Sequence, residues 1–314
     1  MSTEIAPYLL NEDAVRYLLA HADDDEASTS AYWKEHKPLF SVREDGTVDG
    51  YSVLGNVTEK RSLLRNLAHR ILQIPLKGLA RQYSDLGMCE RLGRRVAHMR
   101  GQQFTYDTLR HVFTLALIRQ HRKALTESGN SLVIGDGFGI MASLLLANSP
   151  DVRIFIVNLT KSLSLDMIYL KRTFPDIDMA LVRNETEMSA AIDNPAVRVV
   201  AVQADNAALL QRVPIGLAVN IVSMQEMDLP VVAGYFDILR RNPAKTTAFY
   251  CCNRRYKNSN FEEYPWRDGD TILEDGICEW SQRYYTARPP FLHKRAYGKK
   301  VVLHRFVDLE KDHA

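Results

Sequence analysis

The sequence predicts an α/β protein: a mostly parallel sheet with helices on both faces, preceded by a mainly helical region. Three observations carry this. From Ser131 onward strand and helix signals alternate regularly, the pattern of successive βαβ units. The stretch Ser131-Leu-Val-Ile-Gly-Asp-Gly-Phe-Gly139 reads as a buried strand entering a glycine turn, and apolar Ile140 to Ala147 follows with helical composition. Before it, Glu59 to Leu72, Leu76 to Tyr83, Met88 to Met99 and Thr108 to Leu125 all place apolar residues three and four apart.

The bulk properties bound the function. A chain of 314 residues, 46% apolar, holds one large α/β domain and an appendage, which we divide at 1–128 and 129–314. Lys and Arg number 40 against 38 acids, so the net charge of +2 sets up no strong field toward nucleic acid or an anionic membrane. No nucleic-acid partner is expected. Met1 to Leu10 lack the basic and long apolar regions of a secretory signal, and no run of some 18 apolar residues occurs. The expectation is a cytoplasmic protein without a transmembrane segment. Cys89, Cys251, Cys252 and Cys278 form no C-x-x-C pair and read as small core or surface residues. No His, Asp or Glu grouping has convincing metal-ligand spacing, so no metal site is expected. A homo-oligomer is left open.

Taken in order, Asn11 to Ala22 is a helix by the spacing of Ala14, Val15, Leu18 and Leu19. Asp23 to Ser30 is polar enough to be a mobile connector, and Phe40 to Tyr51, with Asp45-Gly46 between extended pieces, reads as a hairpin. Arg91, Arg94 and Arg95 read as a solvated helix face. In Gly101-Gln-Gln-Phe-Thr-Tyr-Asp-Thr-Leu-Arg-His111, Thr105 or Asp107 caps the following helix. The same segment sets Arg110 and His111 just before the long helix that leads to the glycine strand, within reach of a ligand cleft.

Glycines 135, 137 and 139 allow positive φ and close approach of a ligand to a helix N-terminus. Their spacing is not the dinucleotide G-x-G-x-x-G, because its third position falls on Ile140. Arg153 to Leu159 is the second strand and Lys161 to Phe174 its helix. The second strand ends in Asn158, where nucleotide-binding folds usually present an acid to the ribose. Met179 to Val182, Val197 to Val202, Leu217 to Val222 and Thr247 to Cys252 are further strands, with Glu185 to Ile192 a helix and Pro230 in the first turn of another. Asp205 closes one strand, as an adenine contact or as the N-cap of the next turn. Asn220, Ser223, Gln225 and Glu226 leave another as a polar cluster. The chain closes with a loop at Glu263 to Asp270 and extended pieces at Gln282 to Thr286 and Lys300 to Val307, around Arg288-Pro-Pro290 and His293. An antiparallel final pair suits a seven-stranded methyltransferase sheet better than a six-stranded parallel dehydrogenase sheet.

Gly135-Asp-Gly-Phe-Gly139, Asn220-x-x-Ser223-Met-Gln-Glu226-Met227, Tyr235-Phe236, Phe249-Tyr-x-Cys-Asn253-Arg254 and Tyr264-Pro-Trp266 together resemble a bacterial family of sugar O-methyltransferases. The similarity covers roughly Gln102 to Leu309. It implies a Rossmann-like class I fold, S-adenosylmethionine as cofactor, and a sugar or glycan hydroxyl as acceptor in surface-polysaccharide synthesis. Asn158 departs from the family's usual Asp. On this reading Gly135, Asp136, Gly137, Gly139, Asn158, Asp205 and Asn220 bind the cofactor. Ser223, Gln225, Asn253 and Arg254 orient the acceptor, and Tyr264 and Trp266 offer aromatic faces to a pyranose. An alcohol needs a general base as the new bond forms, with Glu226 the first candidate and His111 the second. Two rival classes are a nicotinamide-dependent sugar oxidoreductase or epimerase and a non-catalytic partner that keeps the fold. The first usually carries Tyr-x-x-x-Lys, whereas Tyr169 and Lys171 stand two apart.

Overall fold

The computed structural model describes residues 8–50, 62–286 and 301–312. The chain begins with a short strand, Leu9–Leu10 (β1), and the helices Asn11–Ala20 (α1) and Ala31–His36 (α2). A hairpin follows, Phe40–Val42 (β2) with Val48–Gly50 (β3), turning through Gly46 at φ +75°. Leu63–Lys77 (α3), Leu86–Met99 (α4) and Tyr106–Arg122 (α5) complete the helical part. Then come Ser128–Ile134 (β4), Ile140–Asn148 (α6), Asp151–Asn158 (β5), Thr160–Thr173 (α7), Asp178–Val182 (β6), Glu185–Asp193 (α8) and Val197–Gln203 (β7). The last elements are Ile215–Ile221 (β8), Leu229–Arg241 (α9), Thr247–Arg254 (β9), Thr271–Ile277 (β10), Glu279–Thr286 (α10) and Val302–Leu309 (β11).

Among the described residues the main sheet has nine strands in the order β1-β6-β7-β5-β4-β8-β9-β11-β10. The six from β6 to β9 run parallel, and β11 lies antiparallel between β9 and β10. That is the Rossmann-like sheet with an inserted antiparallel strand that the sequence predicts. Successive side chains on a strand point to opposite faces. Val133, Ile154, Ile156 and Val219 therefore join one core with α5, α6 and α7, while Leu132, Ile134, Phe155, Val157 and Ala218 join another with α8 and α9. Helix α5 is buried at every position from Tyr106 to Arg119, its polar residues Asp107, Arg110, His111 and Arg119 included, because neighbours cover it on all sides. The chain leaves β4 toward β5 on one side and later returns to β8 on the other. A crevice opens where the strand order reverses in this way, beyond the carboxyl ends of the strands.

Several expectations change. The two helices read from Glu59 to Tyr83 are one helix, α3, and a single 3-10 turn at Gly78–Ala80, with Glu59 to Arg61 outside the described residues. Gln282 to Thr286 belongs to helix α10, because Trp280 on that helix packs edge-on against Phe113 and Tyr83 and overrides the local strand preference of Tyr284-Tyr-Thr286. Strand β10 was not read at all. It is an edge strand containing Glu274-Asp275-Gly276, with little apolar alternation to betray it. Arg288 to Pro290 and His293 lie outside the described residues. All four cysteines are free and buried. No described helix is long and apolar enough to cross a membrane.

Near the carboxyl end of the chain, Arg240 of α9 is buried and holds Asp270 through both carboxylate oxygens at 2.7 and 3.0 Å, while also donating to the carbonyls of Pro265 and Glu310. The fork geometry satisfies a guanidinium that would otherwise sit unpaired in the core. Asp270→Ala should cost about 3–5 kcal/mol in urea denaturation, because it leaves the Arg240 charge buried and uncompensated.

Candidate functional site

A cleft opens at the carboxyl ends of four adjacent parallel strands. Gly135, Asp136, Gly137 and Phe138 line it after β4, Asn158 and Leu159 after β5, Ala204 after β7, and Val222 and Ser223 after β8. Asp107, Arg110 and His111 enter from the first turns of α5, where Thr105 is the N-cap. Ser28, Ser30 and Trp33 close the opposite side, and Glu226 and Tyr235 complete the wall.

The glycine turn has two carboxyls and a guanidinium buried at its base. Asp136 accepts from the N–H groups of Met141 and Ala142 at 3.0 and 2.8 Å, in the first turn of α6. Asp166 of α7 accepts from Gly139 N–H at 2.8 Å and from the Asn158 carboxamide at 2.9 Å. Burial pushes both carboxyls above their ordinary range, and Asp136's charge pushes Asp166 further. Buried Arg100 donates to Gly139 O, Ser143 Oγ and Thr173 Oγ1 close by. Burial lowers its pKa to about 10 against the pull of Asp136. The amide at 158 has a local reason: an aspartate there would set a third carboxylate against Asp166, whereas the Asn158 amide donates to it. Gly135 sits at φ +69°, and a Cβ on it would fall 2.2 Å from Ser223 Oγ, so no other residue fits the turn.

The end of β8 is held by a buried amide network. Asn220 donates to Ile134 O at 2.8 Å and to Ser223 Oγ at 2.5 Å, and accepts from Asn253 Nδ2 at 2.8 Å. Asn253 Oδ1 accepts from Gln225 N–H, and Gln225 Oε1 accepts from Arg254 N–H. Between these anchors Val222 is forced to φ +58°, costly for a β-branched residue. Its N–H donates to Cys252 O at 2.7 Å. Strain of this kind persists only where the surroundings over-determine it, and here it forms part of the cleft wall.

The segment expected to be a mobile connector is instead clasped to the sheet. Asp205 accepts from Ala27 and Ser28 N–H at 2.8 and 2.7 Å. Glu26 accepts from Thr160 N–H and Oγ1, both at 2.8 Å, and Lys161 donates to Asp23 at 2.6 Å. Ser30 Oγ donates to Glu226 O at 2.5 Å, and Lys257 Nζ lies 3.8 Å from the Tyr32 ring centroid. Acidic side chains that look solvated in sequence thus find N–H and ammonium donors at the strand ends.

These positions sort the candidate residues. Gly135, Asp136, Gly137, Asn158, Ser223, Glu226 and His111 come together in the cleft. Gly139 lies below it, at φ +59° against Leu170 and the Asp166 backbone. Asp205 is a correction: its carboxylate holds the N-terminal segment and does not line the cleft. Asn220, Gln225 and Asn253 are corrections too, since they are fully buried and spend their polar groups on the β8 turn. Arg254 does not line the cleft. Tyr264 and Trp266 pack with Phe236, Phe249 and Phe261 in the core below. Trp33 faces the cleft, as Phe138 and Tyr235 do, and its segment has no periodic signal that would point to it. The only trace was Ser30, which caps the helix carrying Trp33.

The two candidate bases differ. Glu226 is ion-paired with Lys257 at 2.5 Å, and burial raises its carboxyl against that pull. His111 is buried, its Nδ1 has no hydrogen-bond partner among the described residues, and burial with the neighbouring Arg110 charge lowers its pKa to about 3. Arg110 itself pairs with Asp107 at 2.5 Å.

The fold and cleft define a Rossmann-like α/β protein with a cleft across its strand ends. No protein-family model and no curated protein matches the chain. Among solved structures it is similar to the N-methyltransferase NodS from Bradyrhizobium japonicum WM9, at 13% identity over 66% of this chain and 97% of that one, TM-score 0.39. It is also similar to magnesium protoporphyrin IX methyltransferase (ChlM) from Synechocystis PCC 6803 with bound SAM, at 7% identity over 80% and 99%, TM-score 0.39. A third is an S-adenosylmethionine-dependent methyltransferase from Mesorhizobium loti, at 11% identity over 60% and 95%, TM-score 0.36.

Asn220→Ala should cost roughly 2–3 kcal/mol in chemical denaturation, since it removes the amide's buried hydrogen bonds with Ile134 O, Ser223 Oγ and Asn253 Nδ2. A pH effect follows from His111, whose pKa is lowered to about 3, and from His304, lowered by burial to about 4. Both stay neutral in the fold while the unfolded chain protonates below about pH 6.5. Their contribution is complete above that pH and lost as the pH falls toward 3. The melting temperature of His111→Gln should therefore fall less steeply between pH 7 and pH 4 than that of the parent, as differential scanning calorimetry would show.

Proposed function

We propose that the chain is an S-adenosylmethionine-dependent methyltransferase whose acceptor is a sugar hydroxyl in glycan synthesis. One observation carries the choice of cofactor: the N–H donors at the α6 N-terminus are already spent on the chain's own buried carboxyls. A dinucleotide needs unspent backbone N–H groups there for its pyrophosphate. Here the N–H groups of Gly139, Met141 and Ala142 are bonded to Asp166 and Asp136. The residues present fit S-adenosylmethionine: of the cleft-lining groups, Asp136 would hold its charged part and Asn158 its ribose. Leu159 and Ala204 offer an apolar slot for the adenine. When bound, the cofactor supplies a sulfonium methyl for direct displacement by an oxygen nucleophile.

The chain's own residues serve the acceptor. His111 is neutral with a ring nitrogen to spare, so it takes the hydroxyl proton. The Asp107–Arg110 pair is a fixed polar wall beside it. Trp33 gives a face for a pyranose, with the hydroxyls of Ser28 and Ser223 as hydrogen-bonding groups. Glu226, tied to Lys257, holds the N-terminal segment in place. This reverses the order of the two bases read from the sequence on geometry alone: His111 Nδ1 has no partner among the described residues, whereas the Glu226 carboxylate is already engaged by Lys257.

Calorimetric titration should find saturable binding of S-adenosylhomocysteine and none of NAD; NAD binding alone would sink the proposal. His111→Gln should keep S-adenosylhomocysteine affinity within about threefold and lower methyl transfer to sugar acceptors by about 10²–10⁴. Glu226→Gln should chiefly weaken binding. Equal loss of turnover in both variants would count against His111 as the base.

A further inference from the structure

Helix α3 carries an apolar face turned to solvent. Leu63, Leu64, Leu67, Ile71 and Ile74 are 89, 82, 58, 57 and 60% exposed. At 100° per residue these five fall on one side of the helix. The body of the protein is met by the other side, through buried Leu76, the Gln73 bond to Phe104 O and the Lys77–Glu90 ion pair. Soluble monomers do not leave an apolar stripe of this length unpartnered without use for it.

Charge identifies the partner. Leu63–Lys77 contains no Asp or Glu, and its polar positions include Arg65, His69, Arg70 and Lys77. From Leu63 to Arg100 there are eight Lys and Arg against two acids, so a chain of net charge +2 concentrates its positive charge here. Arg70, Arg81, Arg91 and Arg95 are exposed. A second copy docking face to face would oppose this cationic helix to itself. An apolar stripe flanked by cations, with no acid, is the composition of a helix lying in the interface of an anionic bilayer. We infer that α3 docks the protein on an anionic membrane surface, its leucines and isoleucines in the headgroup boundary and the exposed Arg70 on the lipid phosphates. Gln103 donates to Ser62 O at 2.9 Å and stands two residues before Thr105, the cap of α5, so the docked helix adjoins the His111 side of the cleft. Resting on the methyl-transfer reading above, this placement selects a lipid-linked sugar as the acceptor class.

The test is flotation of the purified full chain with vesicles of phosphatidylcholine, with and without roughly one third phosphatidylserine. The parent should float with the anionic vesicles alone and be released by high salt. Leu67→Glu/Ile71→Glu, on side chains that make no core contact, should reduce the floated fraction about tenfold or more with an unchanged circular dichroism spectrum. No flotation on either vesicle overturns the inference. So does a dimer, seen by light scattering, that the double variant dissociates while the parent ignores vesicles. Flotation needs no cofactor, so anionic-vesicle binding without S-adenosylhomocysteine binding would sink the proposed activity and leave the docking surface standing.

Discussion

Two carboxylates and one guanidinium are buried together under the glycine turn, and much of the site is arranged to make that tolerable. Asp136 and Asp166 cannot both ionise freely in a dry place, yet they satisfy the N–H groups that the start of α6 leaves without helical partners. Arg100 offsets their charge from below and ties Gly139 to Ser143 and Thr173. The amide at Asn158 belongs to the same arrangement, because it gives Asp166 a donor where an acid would give another repulsion. The position that looks like a defect of the cofactor site is thus a consequence of a buried acid eight residues later.

The end of β8 shows the complementary device. Asn220, Ser223, Gln225 and Asn253 form a closed set in which each amide has partners, and the set holds Val222 in a backbone conformation it would not choose. The polar cluster is therefore scaffolding for the cleft wall. Of the other polar groups there, His111 keeps Nδ1 unpartnered among the described residues, while the Glu226 carboxylate is paired with Lys257.

The parallel sheet was legible in the sequence because buried strands such as Leu132 to Ile134 and Val197 to Val202 are continuous apolar runs, and the glycines of the first turn mark its ligand end. Helices α4 and α5 were legible by period. Strand β10 was hidden because half its surface is solvated and Glu274-Asp275-Gly276 breaks the alternation. Trp33, Asp205 and the buried amides were misassigned for a different reason. Their roles depend on partners more than a hundred residues away, or on which side of a strand end a polar side chain turns, and neither leaves a local pattern. Asp107, Arg110 and His111 were placed correctly at the cleft because helix period ties them to a strand that the glycines had already located.

The clasp on the N-terminal segment has a consequence for how the molecule is made. Residues 23–30 are synthesised well before their anchors, Thr160, Asp205 and Glu226, which lie 134 to 196 positions later. Such pairings close the longest loops in the chain and come after local structure has formed. On the ribosome the segment must wait, exposed, until β8 and its following turn have emerged. The cleft is consequently finished well after its glycine turn, and a chain truncated before Glu226 would have that turn but no completed wall around it.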